Sequence, residues 1–421
     1  MDPSSQKSSD VLIIGGGIIG ICSAYYLLDE GYSVTLLEKD TVNAGSTYGN
    51  AGLIIPSDSL PVPGPGVLTQ GLRWLLDASS PFYIKPTLNP ELLRWLWDFQ
   101  GACRQSAWER SVPLLTDLSV ESLTLFEDIL DREGIQCEYH QEGLLLLYRE
   151  QASFQHGQEL LEELGSFEIH GEVLDASQLK ARFSPHQPQL QGGIYFQADA
   201  HLDPAAFTAQ LAKCSVKKGL KLEENCQVLA FDIQGKTITA VHTTRGKYAG
   251  DHIVLAAGAW TTPLAAKMGL RVPIQPAKGY SITFPRPEDY PELPLILDEA
   301  KIAVTPLGDT LRLAGTLELT GLDLSINQRR VQAILDNAEK YLNVEFNELP
   351  VIEIWRGLRP CTADGLPVIG PSKQVTNLIT ASGHCMLGVS QGTMTGKLVA
   401  EIVHGKEPSL ALPPLSPDRF S

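Results

Sequence analysis

The sequence has no surplus of positive charge, no closely spaced cysteines, no long apolar run and no internal repeat. Lys and Arg number 33 against 49 Asp and Glu, a formal net charge of −16. An acidic field repels nucleic acid and anionic lipid alike, so binding of either through a general basic surface is excluded. The seven cysteines, Cys22, Cys103, Cys137, Cys214, Cys226, Cys361 and Cys385, are scattered without C-x-x-C spacing. Neither a zinc site nor a disulfide framework is indicated, no metal is expected, and a reducing cytoplasm fits best. No stretch offers the ~18 uninterrupted apolar residues that span a bilayer, and the polar start from Met1 to Asp10 has no signal-peptide pattern. What is present is an ordinary globular composition. With 43% hydrophobic residues over 421 positions, the chain can bury a sizeable core in two domains or one elaborated domain.

The most informative segment is Val11 to Gly20, VLIIGGGIIG, where a β-branched run turns through glycines into a helix-like stretch. Gly15, Gly17 and Gly20 fit G-x-G-x-x-G: the first permits the tight turn, the second lets backbone approach a pyrophosphate, and the third lets helix pack on strand. The helix N-terminus at Ile18 and Ile19 presents free N–H groups to the anion. A helix is expected from Ile18 to Glu30, ended by Gly31, and then a strand from Ser33 to Leu37 that delivers Glu38 and Lys39. Glu38 stands 21 positions after Gly17, where an acid accepts hydrogen bonds from a ribose diol. Strand, turn, helix, strand and acid in one unit point to a bound dinucleotide rather than a structural loop.

Thr41 to Gly66 is rich in glycine and proline, too long for an idle connection, and is expected to wrap the ligand. Leu68 to Leu76 and Leu92 to Phe99 read as short helices carrying Trp74, Trp95 and Trp97, either packed in the core or exposed to membrane or quinone. A longer helix is expected from Pro113 to Glu133, a strand from Gly143 to Tyr148, and surface helices and loops from Arg149 to Lys180. Sheet returns at Gly193 to Phe196, followed by a helix from Pro204 to Lys218 and strands at Val228 to Asp232 and Thr237 to Thr243. The buried strand His252 to Ala256 ends in Ala257-Gly258-Ala259-Trp260, a second place where amides can face a cofactor. A third glycine-rich turn, Ser382 to Gly392, opens a helix from Thr393 to Val403. Hairpin strands are expected near Ile282, at Ile302 to Thr305 and at Leu311 to Ala314, with a turn at Pro306 to Asp309. No second strand-turn-helix fingerprint exists for a separate nicotinamide nucleotide, so the dinucleotide is resident, and FAD is favoured over NAD.

Several motifs together resemble the D-amino acid oxidase superfamily of FAD-dependent oxidoreductases. They are VLIIGGGIIG, GSTYGNAGL at Gly45 to Leu53, AAGAW, Pro276 to Ser281, Leu297-Asp298-Glu299, Gly357-Leu358-Arg359-Pro360 with Asp364-Gly365, and SGHCMLG. Their order looks closest to the bacterial D-amino acid dehydrogenases, with glycine and sarcosine oxidases as more distant relatives. The resemblance implies an α/β plus α+β fold: a discontinuous Rossmann-like FAD-binding domain (1–80, 170–270, 352–421) with an inserted antiparallel-sheet substrate domain (81–169, 271–351). It implies contacts to noncovalent FAD from Gly15, Gly17, Ile18, Ile19, Gly20, Glu38, Lys39, Gly45, Ser46, Thr47, Asn50, Ala51, Gly52, Leu53, Val228, Ala257, Gly258, Trp260, Gly383, Leu387, Gly388, Val389 and Ser390. Gly357 stands where sarcosine oxidase carries its flavin-linked cysteine.

The activity implied is oxidation of a D-amino acid to an imine that hydrolyses to a 2-oxo acid and ammonia, the electrons leaving to quinone or another carrier. Arg359 is expected to hold the substrate carboxylate as a planar bidentate donor. Tyr280 either hydrogen-bonds that carboxylate and walls the pocket or is a core tyrosine, and Lys278 either covers the flavin or is solvated. His384 packs beside the flavin rather than acting as a base, and the amides of Leu387 to Ser390 face the N1–C2=O edge. An O₂-using amine oxidase of glycine, sarcosine or proline type and a non-catalytic FAD-binding subunit are the alternatives. The expected location is the cytoplasm, with peripheral contact at the inner face of the membrane as the variant that quinone reduction would need.

Overall fold

The structure, a computed structural model, describes residues 6–67, 81–85, 89–183, 189–288 and 290–420. The fingerprint forms as its residues dictate. Lys7–Ile14 is a strand, Ile18–Asp29 a helix and Val34–Leu37 a parallel strand beside the first. Gly15 bridges them at a φ of 117°, and a Cβ on Gly20 would lie 1.9 Å from the Gly15 carbonyl oxygen, so only glycine lets the helix start this close to the strand.

Two large sheets follow. In the first, parallel strands run in the spatial order Lys221–Glu223, Val34–Leu37, Lys7–Ile14, Gly246–Leu255 and Leu378–Ser382. Val368–Pro371 adds antiparallel at one edge, and the hairpin Val228–Gln234 with Thr237–Thr243 attaches to the start of Gly246–Leu255. The second sheet is ordered Glu353–Cys361, Gln275–Pro285, Thr310–Leu319, Ile302–Leu307, Leu295–Leu297, Leu144–Tyr148, Gly192–Phe196 and Glu172–Asp175, with Phe82–Ile84 joined to Thr310–Leu319. Most of its neighbours are antiparallel. The α/β plus α+β class read from the sequence is the one observed.

Each sheet carries its own core. Helices Ile18–Asp29, Pro204–Lys217 and Gly392–His404 bury Ile21, Leu27, Phe207, Leu211 and Val399 against the first. Helix Gln328–Ala338 covers the second with Val331, Ile334 and Leu335.

The structure departs from the sequence reading in several places. Helix Gln105–Glu133 begins eight residues before Pro113 and runs through it. Proline removes one backbone bond, but Trp108, Val112, Leu115 and Leu118 form one buried face across it, and that burial outweighs the break. Strands Glu172–Asp175, Gly192–Phe196 and Glu353–Cys361, assigned by the expected partition to the dinucleotide domain, pair in the second sheet, because strand pairing is decided by non-local partners. The hairpin turn tightens to Gly308 and Asp309, since Pro306 and Leu307 still pair in the strand. Of the aromatic helices, residues 68–76 with Trp74 lie outside the described residues. Pro90–Ala102 buries Trp95 against Phe99 and leaves Trp97 75% exposed. No helix among the described residues is long and apolar enough to cross a membrane.

The first and last helices touch backbone to backbone: a Cβ on Gly396 would sit 2.5 Å from the Cys22 carbonyl carbon. Gly396→Val is expected to lower unfolding free energy by at least 1–3 kcal/mol, the usual range of overpacking, read as a fall in the urea midpoint at unchanged slope.

Candidate active site

A cavity of about 540 Å³ opens between the two sheets. Its dinucleotide end is lined by Gly15, Gly17, Ile18, Ile19, Glu38, Lys39, Val228, Ala257, Gly258 and Trp260, and its middle by Gly45, Ser46, Thr47, Asn50, Ala51 and Leu53. Leu387, Gly388, Val389 and Ser390 line it from the other end of the chain. Thus the three glycine-rich turns converge on one site. Gly20, Gly52 and Gly383 do not line it; Gly20 faces the strand turn, Gly52 packs on the Leu202 carbonyl and Gly383 on Thr362.

The local hydrogen bonds organise this wall. Glu38 accepts from the Gly16 amide at 2.6 Å and from the Asp40 amide at 2.9 Å, so it holds the loop as well as bordering the cavity. Thr47 Oγ1 accepts from the Ile18 amide at 3.1 Å. Lys39 Nζ lies 3.5 Å from the centre of the Trp260 ring, a cation–π contact. The Leu387 amide is engaged by the His384 carbonyl at 2.9 Å. Among the described residues, the amides of Gly388, Val389 and Ser390 meet no acceptor. An elongated cavity with a phosphate-type cradle, an acid after the second strand and three unpaired amides at the far end fits FAD.

Arg359 sits on the strand Glu353–Cys361 at the edge of the second sheet. Its guanidinium lies over Gly279, where an added Cβ would come within 2.0 Å of Nη1, and it donates to the Thr316 carbonyl at 2.7 Å. No carboxylate pairs with it among the described residues. Desolvation pulls its proton affinity down to about 10, so it stays cationic at neutral pH. A desolvated, unpaired guanidinium on a cavity wall has the charge and the paired donors to take a carboxylate.

The other expected substrate residues are placed differently. Tyr280 borders the cavity, but its side chain packs in the buried core of the second sheet, where its hydroxyl donates to Glu318 at 2.8 Å and receives the Asn327 amide at 3.3 Å. Lys278 does not line the cavity. Its Nζ donates to Asp323 at 2.8 Å and lies 3.5 Å from Glu318, inside a buried charge cluster. Strand alternation explains this, since neighbours of Gly279 point away from the face that carries the guanidinium. His384 borders the cavity and bonds Thr395 Oγ1 through Nε2 at 2.9 Å; burial lowers its pKa to about 3 and keeps it neutral.

Cys361 and Cys385 form a disulfide, against the expectation of unpaired cysteines. The Cys385 amide donates to the Pro360 carbonyl and Cys361 bridges His384, so strand and turn bring together residues 24 apart. Spacing rules, which look for close pairs, cannot see this. The bond ties the Arg359 strand to the glycine-rich turn.

Among the cavity residues that escaped the sequence reading are Asp58 and Lys301. The signal for Asp58 was a single acid within the apolar stretch Leu53 to Leu60. Behind it, buried Asp199 accepts from the Ser57 hydroxyl and from its amide, and desolvation raises Asp199 to about 7. No cluster of three or more His, Cys, Asp or Glu residues among the described residues could hold a metal.

A family model described as DAO, FAD dependent oxidoreductase, matches residues 10–402. The chain is 34% identical to D-amino acid dehydrogenase of Granulibacter bethesdensis over 95% of its own length and 97% of the relative's. It is 31% identical to the D-amino acid dehydrogenase of Xanthobacter autotrophicus over 98% and 99% of the two chains. Among solved structures, glycine oxidase from Geobacillus kaustophilus superposes with a TM-score of 0.80 at 22% identity, covering 98% of each chain. L-proline dehydrogenase from P. horikoshii superposes at 0.76 and 20% identity, over 99% of this chain and 98% of that one. These two likenesses are of fold.

Gly279→Ala is expected to displace the Arg359 guanidinium and raise the KM of a carboxylate substrate about tenfold, with thermal stability little changed because the flexible end of the arginine yields; steady-state kinetics beside a melting curve check this. For Asp199, the folded pKa lies above the unfolded value, so its stabilising contribution is complete below about pH 4 and lost as pH rises through 7. Asp199→Asn, which mimics the protonated acid, is therefore expected to melt above the parent at pH 8, by at most roughly 4 kcal/mol of stability, and level with it at pH 4.

Proposed function

This chain belongs to the DAO family of FAD-dependent oxidoreductases, and from that premise we propose that it oxidises D-amino acids to 2-oxo acids and ammonia. The observation that carries the reading is Arg359, a guanidinium on the cavity wall that meets a carbonyl and, among the described residues, no carboxylate. The curated relatives named D-amino acid dehydrogenase support the substrate class.

FAD, when bound, supplies the two-electron acceptor for the substrate's α-C–H bond. The protein binds and orients. Arg359 takes the carboxylate in a bidentate grip, which fixes the α-carbon relative to the cofactor edge. Tyr280 backs this strand from its other face, with its hydroxyl held by Glu318, and leaves the carboxylate to Arg359. His384 stays neutral beside the turn and anchors it through Thr395, so it neither repels the substrate ammonium nor serves as a base at ordinary pH. The amides of Gly388, Val389 and Ser390 would hold the bound cofactor from this end of the cavity and offer donors to negative charge that builds on it.

The electrons pass to a quinone or another carrier in this reading. Leu93 and Trp97, exposed on helix Pro90–Ala102, offer an apolar face for it. The location we assign is the cytoplasm, with peripheral contact at the inner membrane face.

Anaerobic titration of the purified flavoprotein with D-alanine, D-proline, L-proline, glycine and sarcosine, followed at about 450 nm, tests the proposal. D-amino acids are expected to bleach the flavin, and Arg359→Ala to lose about 2 to 5 kcal/mol of kcat/KM, the range for removing one partner of a desolvated charge pair. Bleaching by sarcosine or L-proline alone would overturn the substrate class, and stoichiometric hydrogen peroxide in air would replace the carrier with O₂.

A further inference from the structure

We propose that Asp58 binds the substrate's ammonium group, as the acidic counterpart of Arg359 in the same cavity. This rests on the amino-acid reading above. The short helical turn Pro56–Asp58 follows the strand Leu53–Ile54, and hydroxyls anchor it at each step. Ser390 Oγ donates to the Leu53 carbonyl at 3.0 Å and receives the Ile55 amide at 3.1 Å, which ties the segment to the cofactor-facing turn. Ser57 is held by Asp199 through both amide and hydroxyl. Ser59 donates to the Ile55 carbonyl at 2.8 Å and meets Ser119 at 2.6 Å. Both neighbours of Asp58 are thus turned into the protein, and Asp58 alone faces the cavity.

Its carboxylate has no hydrogen-bond partner among the described residues. The cation whose field reaches it, Lys301, also lines the cavity but donates to Asp298 at 2.9 Å, and so is already compensated. Burial outweighs the Lys301 field and, with Asp298 adding repulsion, raises the Asp58 carboxyl to about 6, still ionised in the main at neutral pH. A rigidly held, unpaired carboxylate in a cavity whose other end of charge is an unpaired guanidinium complements a zwitterion. Glu38 is the other carboxylate on the cavity wall, and it is engaged at the dinucleotide end.

Calorimetric titration of the FAD-loaded protein with three non-oxidisable probes tests this. Isobutyrate offers a carboxylate alone, 2-aminoisobutyrate a carboxylate with an α-ammonium, and 6-aminohexanoate a carboxylate with a distal ammonium. Asp58→Asn is expected to weaken an ammonium-bearing probe about tenfold and to leave isobutyrate within about twofold. Loss on 2-aminoisobutyrate assigns Asp58 to the α-ammonium, and loss on 6-aminohexanoate alone assigns it to a cationic side chain. Asp58→Glu should restore part of the loss in either case. Unchanged affinity for both ammonium probes, or equal weakening of all three, overturns the proposal. If the parent protein binds none of the probes, the amino-acid reading itself falls and the role of Asp58 falls with it. The parallel variant Arg359→Lys should weaken all three, which separates the two residues.

Discussion

The contact on which the rest depends is between the two ends of the chain. Helix Ile18–Asp29 and helix Gly392–His404 meet at Gly396 and Cys22 at a separation no side chain could share, and Gly392 packs on Ile18 in the same seam. This approach sets the turn before the last helix beside the turn before the first. The cofactor wall is therefore built from residues nearly four hundred positions apart, and Ser390 pins them by bonding both Leu53 and Ile55. Dispersion and apolar burial supply the energy, while the absent Cβ atoms supply the geometry.

The second sheet adds charge to that frame. It presents Arg359 over the bare backbone of Gly279, and the disulfide between Cys361 and Cys385 binds its edge strand to the glycine-rich turn. The cation is thereby held at a set position relative to the cofactor wall although the two belong to different sheets. Two lysines close to the site are compensated, Lys278 by Asp323 and Glu318 and Lys301 by Asp298. Against that background an unpaired guanidinium and an unpaired carboxylate in one cavity mark the place where a ligand completes the pairing.

Much of this was legible in the sequence because it depends on local chemistry. Gly15, Gly17 and Gly20 announce a strand-to-helix turn, Glu38 follows at the distance one helix and one strand require, and alternating apolar residues mark the strands of both sheets. The long glycine- and proline-rich segment after Thr41 could be recognised as a ligand-facing loop, and Arg359 could be singled out within its motif. Lys278 and Tyr280 were harder. Their neighbourhood in the sequence is that of the site, but which way each points follows from the pleat and from Glu318 across the sheet, 38 to 40 residues away.

By itself the sequence determined the dinucleotide cradle, the fold class and the convergence of three glycine-rich turns, which rest on residue type and short spacing, and it singled out Arg359 through a family motif. Only the tertiary structure decided that Cys361 meets Cys385, that Lys278 and the Tyr280 hydroxyl belong to a buried charge cluster, and that Asp58 looks into the cavity. Those outcomes depend on strand register and on packing between segments remote in sequence. Free energies of that kind depend on shape, which no local pattern of residues encodes.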